Sequence, residues 1–466
     1  MTKEIERKND FSKGNVPSLI MKMAIPMIVA QVVNALYSIV DRIYIGHMAD
    51  VGQLALTGIG LCFPITMTVS AFSALIGYGG APLSSILRGR REDQKAEQVL
   101  GTCVTALVVL GIVVPLACFF LREPILYLFG ASPATYPYAD RYITIYLMGS
   151  LPVMLTLGLN TFINAQGFTR DGMVTVGIGA LCNLVLDPIF IFGFGLGVRG
   201  AAIATVISQL VSCIWVIAFL LGKKNLIRLR RQYLKPSWPL LGKVCGLGVS
   251  SFIMQITESA ISAVFNASLY RFGGDIYVTT MTVATSISQI YTMIIQGFGQ
   301  GAQPVTGYNY GAGAYGRVRQ CYRFLTVVCL GYAVVAWGLI QLFMPQIISV
   351  FNNDPNLLAT AVPMLRIFFL LTFLFALQTA SQNTFVALGE AKKATFFALL
   401  RKVFLLIPLI LIMPRIGFGV TGIFAAEPIA DTISAAVCFI TFLLTSYRGL
   451  RKKEQAQLAA KNEETI

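Results

Sequence analysis

The sequence predicts an all-α integral membrane protein with twelve transmembrane helices in two six-helix parallel repeats around a central cavity. Three observations predict it. The 466 residues are 56% hydrophobic and only 12% charged, with a mean hydropathy of +0.72, whereas an ordinary soluble domain carries about 25% charge. The apolar residues gather into stretches of about 20, the length one helix needs to cross the hydrocarbon core. A constant offset lays the second half of the chain on the first, as Gly77 on Gly299 and Pro133 on Pro355.

In order, the helices are expected near 17–44, 53–80, 99–121, 135–158, 171–193, 199–221, 240–268, 276–301, 319–343, 357–385, 393–414 and 420–446. Turn signals separate them at Gly130–Pro133, Gly193–Gly200, Gly273–Asp275, Asn352–Pro355 and Gly417–Gly419. Pro26 interrupts the first helix, where the missing N–H favours a kink. It reads as a hinge, or as a consequence of packing alone. The second and eighth helices carry Gly77, Gly79, Gly80 and Gly297, Gly299, Gly301. Such small residues let helices approach closely or bend.

Orientation follows from Lys and Arg in the loops. One set of loops and the tails hold Lys3, Arg7, Lys8, Lys13, Arg88, Arg90, Arg91, Lys95, Lys223, Lys224, Arg228, Arg230, Arg231, Lys235, Arg317, Arg319, Lys392, Lys393, Arg448, Arg451, Lys452 and Lys453. The alternate loops hold only Arg122, Arg199, Arg271 and Arg415. This places both termini in the cytoplasm, and makes the net charge of +15 a topology signal rather than a nucleic-acid footprint. The charged, polar start through Lys13 predicts no removable signal peptide. The nine cysteines show no CxxC spacing, and five lie within apolar segments, so packing is their expected role.

The repeat is dense in landmarks. Gly195-x-Gly197-Val198-x-Gly200 meets Gly417-x-Gly419-Val420-x-Gly422, and Gly167 meets Gly389, an offset of 222. The first and seventh helices fit better at 224, which pairs Gln31 with Gln255. Both halves start on the cytoplasmic side, so they are parallel repeats related by an axis along the membrane normal. The organisation expected is an N-terminal lobe at 1–221, a cytoplasmic linker at 222–239, a C-terminal lobe at 240–446 and a tail at 447–466.

Two acidic residues stand in the first repeat where hydrocarbon is expected. Asp41 follows the apolar run Ile25–Val40 and Asp187 lies within Met173–Gly193. A carboxylate at that depth costs about 2.5–3.5 kcal/mol on insertion scales, so it marks a functional position. Counted along helices at about 1.5 Å per residue, Asp41, Asn183, Asp187 and Thr205 all fall in the outer half of the first repeat. Asn183 and Asp187 share one helix face. Two carboxylates, an amide and a hydroxyl suit a proton, or Na⁺ held by oxygens. The alternative for Asp41 is an interfacial pair with Arg42, and for Asp187 a structural hydrogen bond. The second repeat replaces Asn183 by Leu405 and Asp187 by Leu409, so ion handling is expected in the first. It keeps Glu258, Glu427 and Asp431, candidates for contact with cationic substrate, for a second proton, or for tying helices together. Gln31, Asn34 and Asn160 are further polar candidates for substrate contact. His47, the only histidine, reads as an interfacial residue or a proton relay.

The segment Ile25-Pro26-Met27…Gln31…Asn34…Tyr37-Ser38-Ile39-Val40-Asp41…Gly46 resembles the first helix of multidrug and toxic compound extrusion (MATE) transporters. So do Asn183-Leu184-Val185-Leu186-Asp187-Pro188, the Gly197–Thr205 segment and Pro428-Ile429-Ala430-Asp431. The likeness covers nearly the whole chain and points to the bacterial branch with DinF and MepA-type exporters. It implies a cation site at Asp41, Asn183, Asp187 and Thr205, and export of amphipathic, often cationic, drugs or dyes in exchange for H⁺ or Na⁺. Relative to the NorM-like branch, Glu258 matches an acidic position. The tenth-helix aspartate of that branch is absent, with Gln378, Gln382 and Asn383 in its stretch.

A cation-coupled antiporter in a bacterial cell membrane is therefore expected, working as a monomer on small amphipathic molecules among lipids. No cofactor beyond the coupling ion and no nucleic-acid partner are expected. The alternative is a lipid-linked precursor flippase of the same superfamily, for which a cationic cavity would be needed; the intramembrane charges singled out above are mostly acidic. A channel or receptor lacks a filter sequence and a sensing domain. An enzyme lacks a metal-ligand cluster, phosphate loop or nucleophile–base pair.

Overall fold

Within hydrocarbon no water pairs a backbone N–H or C=O, so a spanning segment must close its own hydrogen bonds, which a helix does locally. The computed structural model describes residues 11–46, 48, 52–129, 131–222, 225–351 and 355–463, and their regular elements are all helical. His47, Lys3, Arg7, Lys8, Lys223 and Lys224 lie outside the described residues. The first half comprises α1 (Val16–Gly46), α2 (Gly52–Leu61), α3 (Phe63–Gly89), α4 (Asp93–Leu128), α5 (Tyr136–Met148), α6 (Ser150–Ala165), α7 (Thr169–Pro188) and α8 (Val198–Leu221). The second comprises α9 (Trp238–Gly273), α10 (Asp275–Gly311), α11 (Tyr315–Leu342), α12 (Met344–Phe351), α13 (Pro355–Phe368), α14 (Phe375–Ala387), α15 (Ala391–Leu399), α16 (Ile407–Ile412), α17 (Gly419–Phe442) and α18 (Arg448–Glu463).

Ten stretches among the described residues are long and apolar enough to cross a membrane, and the α5–α6 pair, bent by 59°, is an eleventh. One of the ten, Ala391–Ala460, has 70 residues. It is broken at Gly417 and Gly419, whose φ angles of 104° and 52° suit glycine alone. Read as two passes, it brings the total to the twelve expected. The expected second helix is divided at Cys62, just before Pro64. The fourth is divided at Gly149, and the tenth by a 3₁₀ turn at Thr372–Leu374.

Contacts divide the described chain into two compact units, Ile25–Ile256 and Phe11–Ala24 with Thr257–Ile466. These boundaries fall inside α1, next to Pro26, and inside α9. In the first unit α3 packs on α4 and α6, and α8 packs on α5, α6 and α7. In the second α10 packs on α11 and α14, and α17 on α13 and α14. The repeat is visible in the backbone: Gly167 and Gly389 have φ of 95° and 78°, and Gly197 and Gly419 have 55° and 52°. It extends to side chains. Asn160 donates its amide to the Gly172 carbonyl at 3.2 Å, and Gln382 does the same to Ala394 at 3.5 Å.

The segment after α8 is strapped along the first unit. Ile227 N–H donates to Gln166 at 2.9 Å, Arg230 pairs with Glu97 at 2.9 Å, and Thr105 donates to the Leu234 carbonyl at 2.6 Å. In the second unit Arg317 donates to the carbonyls of Phe11 and Gly14, at 2.9 and 3.0 Å, and fixes the segment leading into α1. The tail forms α18, which Arg319 clamps through Glu454.

Small residues set the helix spacing as expected. Gly77 faces Gly158, and a Cβ on Gly248 would run into the Leu75 carbonyl of the same unit. Gly242, two turns earlier on α9, has open space around it. Gly248→Ala is therefore expected to lower the thermal unfolding midpoint in detergent, because overpacking costs about 1–3 kcal/mol. Gly242→Ala should leave the midpoint unchanged or raise it, since Gly within a helix costs about 1 kcal/mol relative to Ala. Equal midpoints for the two variants would refute the close approach.

Candidate functional site

α7 runs as a regular helix to Pro188 and continues as a wider π-type turn at Ile189–Gly193. Its regular part places Asn183 and Asp187 one turn apart, both fully inside the first unit at 3% and 1% exposure. The Asn183 amide donates to Asp187 Oδ1 at 3.1 Å. Asp187 Oδ2 is buried and has no hydrogen-bond partner. Asp41 of α1 comes into side-chain contact with Asp187. Two carboxyl groups this close in low-dielectric surroundings are reconciled by a shared proton or by a cation between them.

Thr205 of α8 donates to Ala201 of its own helix at 3.0 Å, not to Asp187. Its hydroxyl proton is thereby used, and its lone pairs remain available. Among the described residues no group of three or more His, Cys, Asp and Glu is placed to hold a metal. Na⁺ as cargo would rely on the two carboxylates, completed by the Asn183 carbonyl oxygen and the Thr205 hydroxyl. The unpartnered Asp187 Oδ2 fits either a proton or a hard cation.

Tyr142 of α5 is buried within electrostatic range of Asp41 and Tyr37. It stacks on Tyr146 with ring centroids 6.3 Å apart. The sequence reading passed over these phenols, although Tyr142 and Tyr146 share one face of α5 by their spacing of four.

The second unit holds a different arrangement. Between α15 and α16 the chain widens into a π-type segment, Leu400–Leu406. It carries two buried cations that the sequence reading did not weigh, Arg401 and Lys402. Arg401 Nε donates to Asp431 at 2.5 Å and its Nη2 to Glu427 at 2.8 Å. The guanidinium also lies 4.6 Å from the centre of the Phe375 ring. Lys402 is hydrogen-bonded to Glu258. All three acidic candidates of the second repeat are thus ion-paired. The sequence signal was present as two adjacent basic residues inside the apolar run 393–414.

A family model described as MatE matches residues 26–189 and 250–412. The chain belongs to the MatE family. The two MatE matches begin 224 residues apart, from 26 to 250, the offset that fits the first and seventh helices. Among curated relatives, a protein named multidrug export protein MepA from Staphylococcus saprophyticus is 27% identical over 445 residues, covering 95% of this chain and 97% of that protein. The MepA of Staphylococcus aureus is 24% identical over 435 residues, covering 93% and 95%. A crystal structure of MATE in the bent conformation superposes with a TM-score of 0.89 at 23% identity, covering 95% of this chain and 98% of that one. The MatE fold therefore extends over nearly the whole chain, as the resemblance implied.

Of the other residues singled out in this MatE chain, Pro26 is buried within α1, Gln31 is half-buried and Asn34 is exposed. Asn160 ties α6 to α7, and its Oδ1 is buried without a hydrogen-bond partner.

Proposed function

We infer that this chain is a secondary active exporter that moves amphipathic, often cationic, compounds out of the cell in exchange for H⁺ or Na⁺ by alternating access. The observation that carries the reading is the contact of Asp41 with Asp187, whose second oxygen is buried and unpartnered. A group so placed binds a cation when one is offered and loses stability when it leaves. Such a site makes the energies of the two access states depend on the ion, as coupling requires. Membership of the MatE family and the MepA relatives support the multidrug class of substrate. Both termini on the cytoplasmic side, a bacterial cell-membrane location and a single working chain complete the reading.

The test is dye efflux from proteoliposomes under a pH gradient and a Na⁺ gradient imposed separately. Efflux driven by one of them is the expected result and identifies the ion. No efflux under either gradient, from protein that binds dye, would overturn the reading. Binding of a lipid-linked pyrophosphate, with no effect of dyes, would put the flippase in its place.

A further inference from the structure

The segment between α8 and α9 is held at the level where a membrane changes character. α4 has 36 residues and so is about 54 Å long, whereas the hydrocarbon core is about 30 Å thick. Divided between the two ends, the excess puts the boundary about 12 Å from Asp93. The segment touches α4 on both sides of that level. Arg230 pairs with Glu97 at 2.9 Å, about 6 Å along the helix. The Leu234 carbonyl accepts from Thr105 at 2.6 Å, about 18 Å along it. Between these points Ser237 N–H donates to Thr102 at 3.3 Å. The Tyr233 carbonyl passes so close to Gly101 that a Cβ there would lie 2.2 Å from it. The path of the segment is therefore fixed, and with it the level of each side chain it carries.

That path presents cations and apolar groups outward together. Arg231 and Lys235 are exposed, and so are Leu234 at 37% and Trp238 at 75%. A 3₁₀ turn runs over Arg231–Tyr233. At about 2 Å per residue it leaves Arg231 and Lys235 about 8 Å apart along its axis, which two long side chains can close on one phosphate. Their charge is not met within the protein. Arg230 engages Glu97, and among the described residues no carboxylate pairs with Arg231 or Lys235. Tryptophan at a membrane boundary lies at headgroup level, and cations there attract anionic lipids.

We propose that residues 230–238 form a binding site for an anionic phospholipid. Its phosphate lies between Arg231 and Lys235, and an acyl chain runs against Leu234 and Trp238. A topology signal needs only cations somewhere in a loop, whereas a site needs them fixed, as α4 fixes these. A zwitterionic lipid carries its own cation beside the phosphate and gains less from the pair. A soluble acidic partner would leave Leu234 and Trp238 facing water.

Bromines on an acyl chain quench tryptophan emission on contact. The full chain is to be reconstituted in phosphatidylcholine bilayers titrated with brominated phosphatidylglycerol or brominated phosphatidylcholine. The Trp238 signal is the difference between the wild type and Trp238→Phe. Half-maximal quenching should need at least about fivefold less of the brominated phosphatidylglycerol, the gain from about one cation near an anionic surface. Arg231→Gln with Lys235→Gln should bring the two lipids level. Arg448→Gln with Lys452→Gln removes two exposed cations of α18 and should leave the preference as in wild type. Equal quenching by the two lipids in wild type overturns the proposal, and this arm decides if the Arg231/Lys235 variant does not fold. An unchanged preference in that variant, or an equal loss in the α18 variant, overturns it too.

Discussion

Asp187→Asn is expected to bring gradient-driven dye efflux down to the level of protein-free liposomes. Asn183 already satisfies Asp187 Oδ1 at 3.1 Å, whereas Oδ2 is buried and unpartnered and Asp41 lies alongside. An amide at position 187 keeps the shape but neither exchanges a proton nor attracts a cation. The coupling ion then no longer distinguishes the access states, and a ligand without differential affinity shifts no equilibrium. The same substitution removes one of two like charges from a dry site, so the thermal midpoint should not fall. Asp41→Asn should behave alike. A folded Asp187→Asn protein with wild-type efflux under the gradient that drives wild type would remove the site from the mechanism.

Arg401→Met should have the largest effect on stability. The residue is the common partner of Glu427 and Asp431, at 2.8 and 2.5 Å, and Asp431 is 2% exposed. Breaking a buried pair from one side leaves uncompensated charge and costs about 3–5 kcal/mol, while replacing every partner by neutral groups is often harmless. Arg401→Met should therefore lose its monodisperse peak or melt well below wild type. Adding Glu427→Gln and Asp431→Asn should recover most of the loss. A single variant that melts with wild type would mean that the three side chains do not depend on one another.

The helices were legible because hydrocarbon leaves the backbone no other partner. The repeat was legible because glycines with positive φ, such as Gly167 and Gly389, hold a backbone conformation that strains a side chain and so mark equivalent turns of the two halves. Asn183 and Asp187 were readable as neighbours because four residues separate them on one helix. Asp41 was placed beside them by depth alone. The ion pairs of Arg401 and Lys402 could not be read in this way. Their partners lie 26, 30 and 144 residues away, and no local spacing encodes a contact over such distances. The π-type segments were equally hidden, since a widened turn has no composition of its own.

The widened segment Leu400–Leu406 carries Arg401 and Lys402 side by side. In water, a helix learns which side to turn inward from its apolar stripe. In lipid every apolar side is equally comfortable, so that compass is lost. Arg401 reaches to α17 and Lys402 to α9. Consecutive residues of one turn thus fix the rotational setting of two other helices about their own axes. The charges supply an azimuth that the hydrophobic effect cannot give inside a membrane.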